Sequence, residues 1–240
     1  MAYDGILIEM RILSHRTRIK ICGLTRNDDV QTAVAAGADA LGFVFYPKSL
    51  RYVSPAVAAS LIAAVPPFVT TVGLFVNATP HEVIEVVAQA PVSLLQFHGD
   101  ETPQQCYTIA AAVNRPFVRA VRVGPATSAA DLLKYELDYR AAGGMFAGLL
   151  LDALVDGYGG GGKVFDWSLI PKELAPRVVL SGGLSAQNAT DAVLRVRPFA
   201  VDVSSGVELA KGIKDAAKVC AFIEAVRLAD ARPSRTLGTE

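Results

Sequence analysis

The chain has few cysteines and no surplus of either charge. Its 240 residues contain three cysteines, at positions 22, 106 and 220. An odd number at wide spacing fits neither a disulfide framework nor a metal motif, so we expect free thiols, no metal and a cytoplasmic location. Lys plus Arg equals Asp plus Glu at 23 each, which excludes the basic surplus typical of nucleic-acid binding.

Long apolar runs and interdomain linkers are also lacking. No apolar stretch reaches the roughly 18 residues of a membrane-spanning helix, so we expect a soluble protein with no membrane partner. Residues 1–17 carry charges where a secretory leader would be apolar, and we interpret them as an N-terminal extension. Residues 230–240 are polar and are predicted to be a C-terminal tail. Residues 18–229 should form one domain, in a monomer or a small homo-oligomer.

Eight short apolar runs alternate with longer amphipathic segments, which predicts repeated β–α units. We place the strands at residues 18–22, 40–45, 70–76, 94–97, 117–123, 148–152, 177–181 and 200–204. Three Ser/Thr-Pro pairs predict capped helix starts, at residues 54–55, 79–80 and 102–103. The sixth helix should be short, because Pro171 follows its start closely. We predict an α/β fold, a single (β/α)8 TIM barrel, with an open doubly wound sheet as the alternative.

A closed barrel brings the carboxyl ends of all strands to one rim. The residues at or just beyond the predicted strand ends are Cys22, Gln96, His98, Arg122, Asp152, Gly182, Gly183, Asp202 and Ser204. Cys22 precedes a helix start, whose positive end, together with Lys20 or Arg51, would favour a thiolate able to take a proton from carbon. The alternative is a small buried hydrophobe, which is our interpretation of Cys106 and Cys220.

Asp152 ends an apolar strand, where a carboxylate is costly without a purpose. A partly desolvated carboxyl there could serve as a general acid. The alternative is a structural carboxylate that caps a loop or pairs with Lys163. Arg51, in the loop after the second strand, has a donor fork suited to a carboxylate, although an ordinary surface arginine fits its position equally well.

Two glycine-bearing turns follow the seventh and eighth strands, where barrels of this type often bind phosphate. The backbone N–H groups expected to do so belong to Gly182, Gly183, Ser204, Ser205 and Gly206. A further glycine run at 159–162 is a weaker signal, typical of a mobile connection or a lid. A carboxyl, a thiol and a phosphate site on one rim predict acid–base chemistry on a phosphorylated metabolite.

Several segments, in order, resemble the phosphoribosylanthranilate isomerase family. They are Lys20-Ile21-Cys22-Gly23-Leu24-Thr25, Gly42-Phe43-Val44-Phe45-Tyr46-Pro47-Lys48-Ser49, Leu95-Gln96-Phe97-His98-Gly99-Asp100, Leu149-Leu150-Leu151-Asp152, Phe165-Asp166-Trp167 and Ser204-Ser205-Gly206-Val207-Glu208. The likeness runs from Arg18 to Ala225. It implies an Amadori rearrangement in tryptophan biosynthesis, from N-(5′-phosphoribosyl)anthranilate to 1-(2-carboxyphenylamino)-1-deoxyribulose 5-phosphate, with no cofactor.

The resemblance also implies roles for individual residues. Asp152 would protonate the furanose ring oxygen, and Cys22 would take the proton from C2′. Arg51 would hold the anthranilate carboxylate, while His98 and Asp202 would be further substrate contacts, Asp202 at a sugar hydroxyl. The glycine-bearing turns would bind the phosphate.

Two positions depart from the family pattern, since Leu50 replaces an expected proline and Gly161 an expected threonine or serine. Both changes should loosen their loops. Two other functions stay open from the residues alone. One is another phosphosugar isomerase or epimerase barrel, and the other is a noncatalytic barrel that binds a phosphorylated metabolite.

Overall fold

A computed structural model describes residues 16–154 and 164–232, and it contains a closed barrel of eight parallel strands. The strands are β1 Arg18–Cys22, β2 Ala40–Val44, β3 Thr70–Phe75, β4 Leu94–Phe97, β5 Phe117–Val123, β6 Phe146–Ala153, β7 Val179–Leu180 and β8 Ala200–Val203. Pairing of β8 with β1, with Arg18 opposite Ala200, closes the ring. The predicted TIM barrel is therefore confirmed, and the open sheet is excluded.

Seven α-helices in the described residues surround the barrel. They are α1 Asn27–Ala36, α2 Pro55–Ile62, α3 Pro80–Gln89, α4 Pro103–Val113, α5 Ala129–Ala141, α6 Ala186–Val196 and α7 Ala216–Asp230. Two short 3₁₀ turns, Trp167–Leu169 and Ala175–Arg177, occupy the connection between β6 and β7. The expectation of a short element there is confirmed, and Asp166 caps its first turn by accepting from the Ser168 N–H at 2.9 Å.

The Ser/Thr-Pro pairs begin α2, α3 and α4 as predicted. In α3 the Thr79 hydroxyl accepts from the Glu82 N–H at 3.3 Å, and the Glu82 carboxylate accepts from the Thr79 N–H at 2.7 Å. This reciprocal pair satisfies two helix-end donors that would otherwise lack partners. The β-to-α turns before α2, α3 and α4 are thus fixed by local chemistry, which holds the neighbouring strand ends in place.

The apolar core lies mainly between the sheet and the helices, because alternate strand residues face outward. A row of aromatic rings runs through this layer, with Phe97 and Phe117 edge to face at a centroid distance of 5.5 Å. The barrel interior near the rim is different. A small apolar cluster of Cys22, Val44, Leu74 and Val76 lies there, among buried polar side chains from Lys20, Gln96, His98, Asp152 and Asp202.

An antiparallel hairpin that the sequence did not suggest follows β8. Its strands are β9 Glu208–Ala210 and β10 Ile213–Lys214, with a turn at Gly212, whose φ is 81°. A left-handed φ is readily adopted by glycine and strained for other residues. The hairpin brings Glu208 and Lys214 to the rim beside β1.

Two residues near the chain ends meet across the amino-terminal side of the barrel. The Asp230 carboxylate accepts from the Thr17 N–H at 2.8 Å and from its hydroxyl at 2.7 Å. The predicted extension and tail lie almost entirely outside the described residues and stay predictions. None of the described helices is long and apolar enough to cross a membrane.

Candidate active site

Cys22 and Asp152 lie at the same end of the barrel. Cys22 is the last residue of β1, and Asp152 is the penultimate residue of β6. Because the ring closes between β8 and β1, only β7 and β8 separate the two strands. Both side chains are buried and, by strand alternation, face the barrel interior. The structure thus places the predicted acid and base on neighbouring parts of one rim.

Cys22 lies against Gly42 on β2 and shares that space with the ammonium of Lys20. A Cβ atom added to Gly42 would lie 2.7 Å from the Cys22 sulfur and 3.2 Å from Lys20 Nζ. The absence of a side chain at Gly42 is therefore what leaves room for the thiol and the ammonium together. Lys20 and Cys22 are two residues apart on β1, so both point to the same face.

The pKa of the Cys22 thiol is raised above its ordinary value. Burial is the main cause, because it disfavours the thiolate, and the Asp202 carboxylate adds to the effect. Lys20 opposes it through its charge and a hydrogen bond, and Lys214 opposes it more weakly. The expectation that the surroundings as a whole favour a thiolate is therefore wrong, although Lys20 acts in the predicted direction.

Lys20 is held in place by Asp202 on the adjacent strand β8. The Lys20 ammonium donates to Asp202 at 2.8 Å, and the other carboxylate oxygen accepts from the Ser181 hydroxyl at 3.3 Å. Burial would lower the pKa of Lys20, but Asp202 and then Cys22 outweigh it and raise that pKa. Both oxygens of Asp202 have protein partners, and its contact with a sugar hydroxyl stays a prediction.

Arg51 reaches the rim from the loop after β2 and forms a salt bridge with Glu208. Its guanidinium donates to the two Glu208 oxygens at 2.7 and 2.8 Å, and this pairing raises the pKa of Arg51. The arginine stem crosses above Gly23, where an added Cβ would lie 2.5 Å from Arg51 Cδ. Gly23 has a φ of 77°, a conformation suited to glycine. One guanidinium edge is occupied, and Nη1 is the donor that Glu208 does not engage.

Lys214 completes this group of charges. Its ammonium donates to Glu208 at 3.1 Å and to the Ser204 carbonyl at 3.1 Å. Burial lowers the pKa of Lys214, and Glu208 opposes that effect. Arg51 and Lys214 together outweigh the burial of Glu208 and lower its pKa. Sequence reasoning did not single out Glu208 or Lys214, although Glu208 lay within a quoted motif, because nothing indicated the hairpin that carries them.

Asp152 has a different set of neighbours. One of its oxygens accepts from the Ala153 N–H at 3.0 Å, and the other lies 3.2 Å from His98 Nε2, outside the angle of a hydrogen bond. His98 Nδ1 lies 3.1 Å from Gln96 Nε2. Gln96 Oε1 is buried and has no hydrogen-bond partner among the described residues. Gln96 was predicted only as a rim residue, and the structure links it through His98 to Asp152.

The segment that carries His98 is fixed from outside the barrel wall by Arg119. Its guanidinium donates to the carbonyls of Phe97 and Gly99 at 2.9 and 2.8 Å and to Glu101 at 3.1 Å. Glu101 in turn accepts from the Gly99 N–H at 2.9 Å. Both ions are buried, and their remaining polar atoms are bonded as such a pair requires. The imidazole of His98 is therefore mounted on a rigid support.

The two glycine-bearing turns meet at the rim. Gly182 and Gly183 have φ values of 82° and 64°, and a Cβ at Gly182 would lie 3.0 Å from Asp152 Oδ1. A side chain at Gly206 would overlap the Leu184 carbonyl, so the turns after β7 and β8 are in direct contact. Asn188, in the first turn of α6, donates to the Gly183 carbonyl at 3.0 Å. The predicted phosphate residues thus form one continuous surface beside Asp152.

Other predicted features have mixed outcomes. Leu50 is exposed, and its loop is held by backbone bonds such as Tyr52 N–H to the Ser49 carbonyl at 3.1 Å. The glycine run at 159–162, including Gly161, lies outside the described residues, as does Lys163. Cys106 is buried as predicted, and burial raises its pKa to about 12. Cys220 is exposed on α7, so the prediction that it is packed is wrong.

In residues 16–154 and 164–232, no group of three or more His, Cys, Asp or Glu side chains is arranged to hold a metal ion.

Arg122 lies beside Asp152 in the β5–β6 register and forms an ion pair with Asp100. The polar groups of the rim include a thiol, a carboxyl, an imidazole and several cationic donors.

Comparison with known proteins identifies the family. The model of the N-(5′-phosphoribosyl)anthranilate isomerase family matches residues 19–225. The chain belongs to this family. It is 72% identical over 222 residues to N-(5′-phosphoribosyl)anthranilate isomerase of Herminiimonas arsenicoxydans, covering 92% of this chain and 98% of the relative. Its identity to the isomerase of Methylibium petroleiphilum is 63% over 217 residues, covering 90% and 97%.

Solved structures of phosphoribosylanthranilate isomerases share the fold. That of Thermotoga maritima is 43% identical, with a TM-score of 0.77, over 88% of this chain and 98% of that chain. Another solved structure of a phosphoribosylanthranilate isomerase, 40% identical with a TM-score of 0.75 over the same shares, contains reduced 1-(o-carboxyphenylamino)-1-deoxyribulose 5-phosphate. That ligand has an aromatic carboxylate at one end and a phosphate at the other.

Proposed function

We propose that this chain isomerises N-(5′-phosphoribosyl)anthranilate to 1-(2-carboxyphenylamino)-1-deoxyribulose 5-phosphate, with Asp152 as general acid and Cys22 as general base. The observation that carries the proposal is their shared rim, where a buried thiol and a buried carboxyl flank the meeting point of two glycine-bearing turns. Membership of the isomerase family supports the reaction. The individual roles are those that the family resemblance implies, and the geometry of this chain supports them.

The substrate would lie across the mouth of the barrel. Its phosphate would accept from backbone N–H groups of the turns that contain Gly182, Gly183, Ser204, Ser205 and Gly206. The left-handed conformations of Gly182 and Gly183 suit a turn whose N–H groups point outward. The anthranilate carboxylate would be held at Arg51 through the donors that Glu208 leaves unused.

The first chemical step would open the sugar ring. Protonated Asp152 gives its proton to the ring oxygen as the C1′–O bond breaks, and the anthranilate nitrogen supplies the electron pair of the resulting iminium. His98, 3.2 Å away, would keep the carboxyl oriented toward the sugar. Gly182 closes against Asp152 from the other side, so the carboxyl has little freedom to rotate.

The second step removes the proton from C2′. The Cys22 thiolate forms the S–H bond as the C2′–H bond breaks, and the electron pair of that bond forms the C1′–C2′ double bond of an enolamine. The iminium π electrons return to nitrogen, so charge is neutralised in this step. Tautomerisation of the enolamine then gives the ketone. A base that must stay a free thiol fits a cytoplasmic, reducing compartment.

The experiment compares turnover by the parent with that by Cys22→Ser and Asp152→Asn, following loss of substrate fluorescence. Cys22→Ser should lose activity by about a thousandfold or more, because a serine hydroxyl does not supply the anion. Asp152→Asn should lose as much, because the amide cannot donate the proton. Cys106→Ser, a buried cysteine on α4, is the matched control and should keep kcat.

Each result separates one claim from the others. A folded parent that binds the substrate without turning it over would make the chain a binding barrel and reject the reaction. A fully active Cys22→Ser would reject the base and favour a phosphosugar enzyme with a different catalytic pair. A fully active Asp152→Asn would reject the acid.

A further inference from the structure

Five ionised side chains, from four strands and one loop, face Cys22 or its immediate neighbours. The cations are Lys20 on β1, Lys214 on β10 and Arg51 after β2, and the anions are Asp202 on β8 and Glu208 on β9. Tyr46 also packs against the Cys22 cluster. The cations exceed the anions by one. A thiolate at Cys22 would make this group of charges neutral.

All three cations are paired with a carboxylate next to them. Arg51 is bidentate with Glu208, and Lys214 is bonded to Glu208 and to the Ser204 carbonyl. Lys20 is different, because its ammonium occupies the same space beside Gly42 as the Cys22 sulfur. It has a carboxylate partner on one side and the thiol on the other.

We propose that Lys20 is a positioning residue that stabilises the thiolate of Cys22, and that Asp202 serves the reaction by holding Lys20 in place. The choice of reaction rests on the proposed function, but the coupling of Lys20 to Cys22 does not. Lys20 keeps its proton throughout, while Cys22 alone exchanges a proton with C2′.

The geometry explains why a lysine is used at this position. An ammonium is a compact charge with three donors, so it can bond Asp202 and still present a hydrogen to sulfur. Its tether on β8 is 2.8 Å long and buried, which removes the flexibility of a surface lysine. Burial raises the pKa of the Cys22 thiol, so a cation beside the sulfur is needed to make the thiolate accessible.

The test measures thiolate directly, without the substrate. Iodoacetamide is neutral and reacts with thiolates, so the rate of Cys22 alkylation at a fixed pH follows the fraction of thiolate. Mass spectrometry reports Cys22 and the exposed Cys220 in the same sample, and Cys220 serves as the internal reference. Lys20→Met should slow alkylation of Cys22 by about tenfold or more and leave Cys220 unchanged.

Matched variants keep the result interpretable. Lys134→Met removes an exposed lysine paired with Asp138 on α5 and should change neither rate. Because Lys20→Met leaves Asp202 buried without its cation, the double variant K20M/D202N removes both charges and secures a folded protein. Its Cys22 should react faster than in Lys20→Met but slower than in the parent, since Lys20 has a larger effect than Asp202.

Equal Cys22 alkylation in the parent, Lys20→Met and the folded double variant would overturn the proposal, whatever the activity. In the isomerase assay, Lys20→Met should lower kcat with little change in KM. The pH at which activity rises, as Cys22 loses its proton, should shift to a higher value. A raised KM with an unmoved profile would instead assign Lys20 and Asp202 to substrate binding and contradict the inference. An inactive parent with slowed alkylation in Lys20→Met would reject only the proposed function.

Discussion

The two sides of the barrel mouth differ in the charged groups that surround Cys22 and Asp152. Beside Cys22, five ionised groups are packed into bonded pairs that include Lys20–Asp202 and Arg51–Glu208. Beside Asp152, the described neighbours include an imidazole, a backbone N–H and the glycine at 182, and the cation next to it in the β5–β6 register, Arg122, is paired with Asp100. A thiol is available as a thiolate base only if fixed cations stabilise its anion, whereas a carboxyl that donates a proton is better served without them. The asymmetry thus matches a base on one side and an acid on the other.

The largest expected effect comes from filling the space beside the base. Gly42→Ala places a methyl group 2.7 Å from the Cys22 sulfur and 3.2 Å from Lys20 Nζ, so both must move. A displacement of this size should lower kcat/KM by about 100-fold. Steady-state kinetics of the purified variant measure it.

Gly73→Ala is the matched control, because its Cβ would meet only Phe75, Val92 and Phe45 on the helix side of the sheet. It should lower the unfolding midpoint while keeping kcat. Equal kcat losses in both variants would mean that β2 and β3 glycines matter only for packing, and the comparison of the two sides would lose its chemical basis.

A smaller effect is expected from loosening the arginine. Glu208→Gln replaces a bidentate charged partner of Arg51 with a neutral one, and it leaves Lys214 without its carboxylate. KM should rise by about tenfold with a smaller change in kcat, because the guanidinium is no longer held for the substrate carboxylate. The hairpin residues 208–214 contain no second carboxylate that could serve as a control. The control is therefore Glu173→Gln, in the β6–β7 connection. A lower kcat at unchanged KM would argue against carboxylate binding by Arg51.

A substitution beside Asp152 should have a weaker effect, and it should change kcat rather than KM. His98→Asn removes the imidazole 3.2 Å from Asp152, while no cation tether is lost. We expect kcat to fall by about fivefold at nearly constant KM, since Asp152 loses orientation rather than its proton. His81→Asn, an exposed residue of α3 near Glu85, should change nothing. If His98→Asn raised KM alone, His98 would be a substrate contact, as the resemblance implies.

The smallest effect should appear in stability at low pH. The folded-state pKa of Glu208 lies below its ordinary 4.5, because Arg51 and Lys214 outweigh burial. Its contribution to stability is therefore complete above 4.5 and is lost as the pH falls through the folded-state pKa. Urea midpoints at neutral pH and at about pH 3.5 should differ more in the parent than in Glu208→Gln. An equal change in the two proteins would show that the ion pairs of Glu208 do not contribute to the loss of stability at low pH.

Much of the fold could be predicted because its signals are local. Continuous apolar runs located the strands to within two or three residues, and Ser54, Thr79 and Thr102 marked helix starts that the structure confirms. The strand β7 was predicted at 177–181 but spans only Val179–Leu180, because a 3₁₀ turn takes the residues before it. Boundaries that depend on tertiary context carry no local signal.

The candidate site was only partly predictable for the same reason. Residues such as Cys22 and Asp152 stand out because they end strands. The partners that define their chemistry come from far along the chain: Lys20 and Asp202 are 182 residues apart, and Arg51 and Glu208 are 157 apart. The hairpin could not be anticipated, since its two- and three-residue strands are too short to show a period. The exposure of Cys220 was missed because helix residues of one type occur on either face.

The pairing of β1 with β8 closes the barrel, so the enzyme can complete its fold only after β8 has been synthesised. During synthesis the thiol emerges from the ribosome early, but the carboxylate that steadies its neighbouring ammonium is translated 182 residues later. A nascent or truncated chain that stops before β8 would leave Lys20 untethered and the barrel unsealed. Catalytic competence should therefore appear abruptly, when β8 and the residues after it dock, rather than grow with chain length.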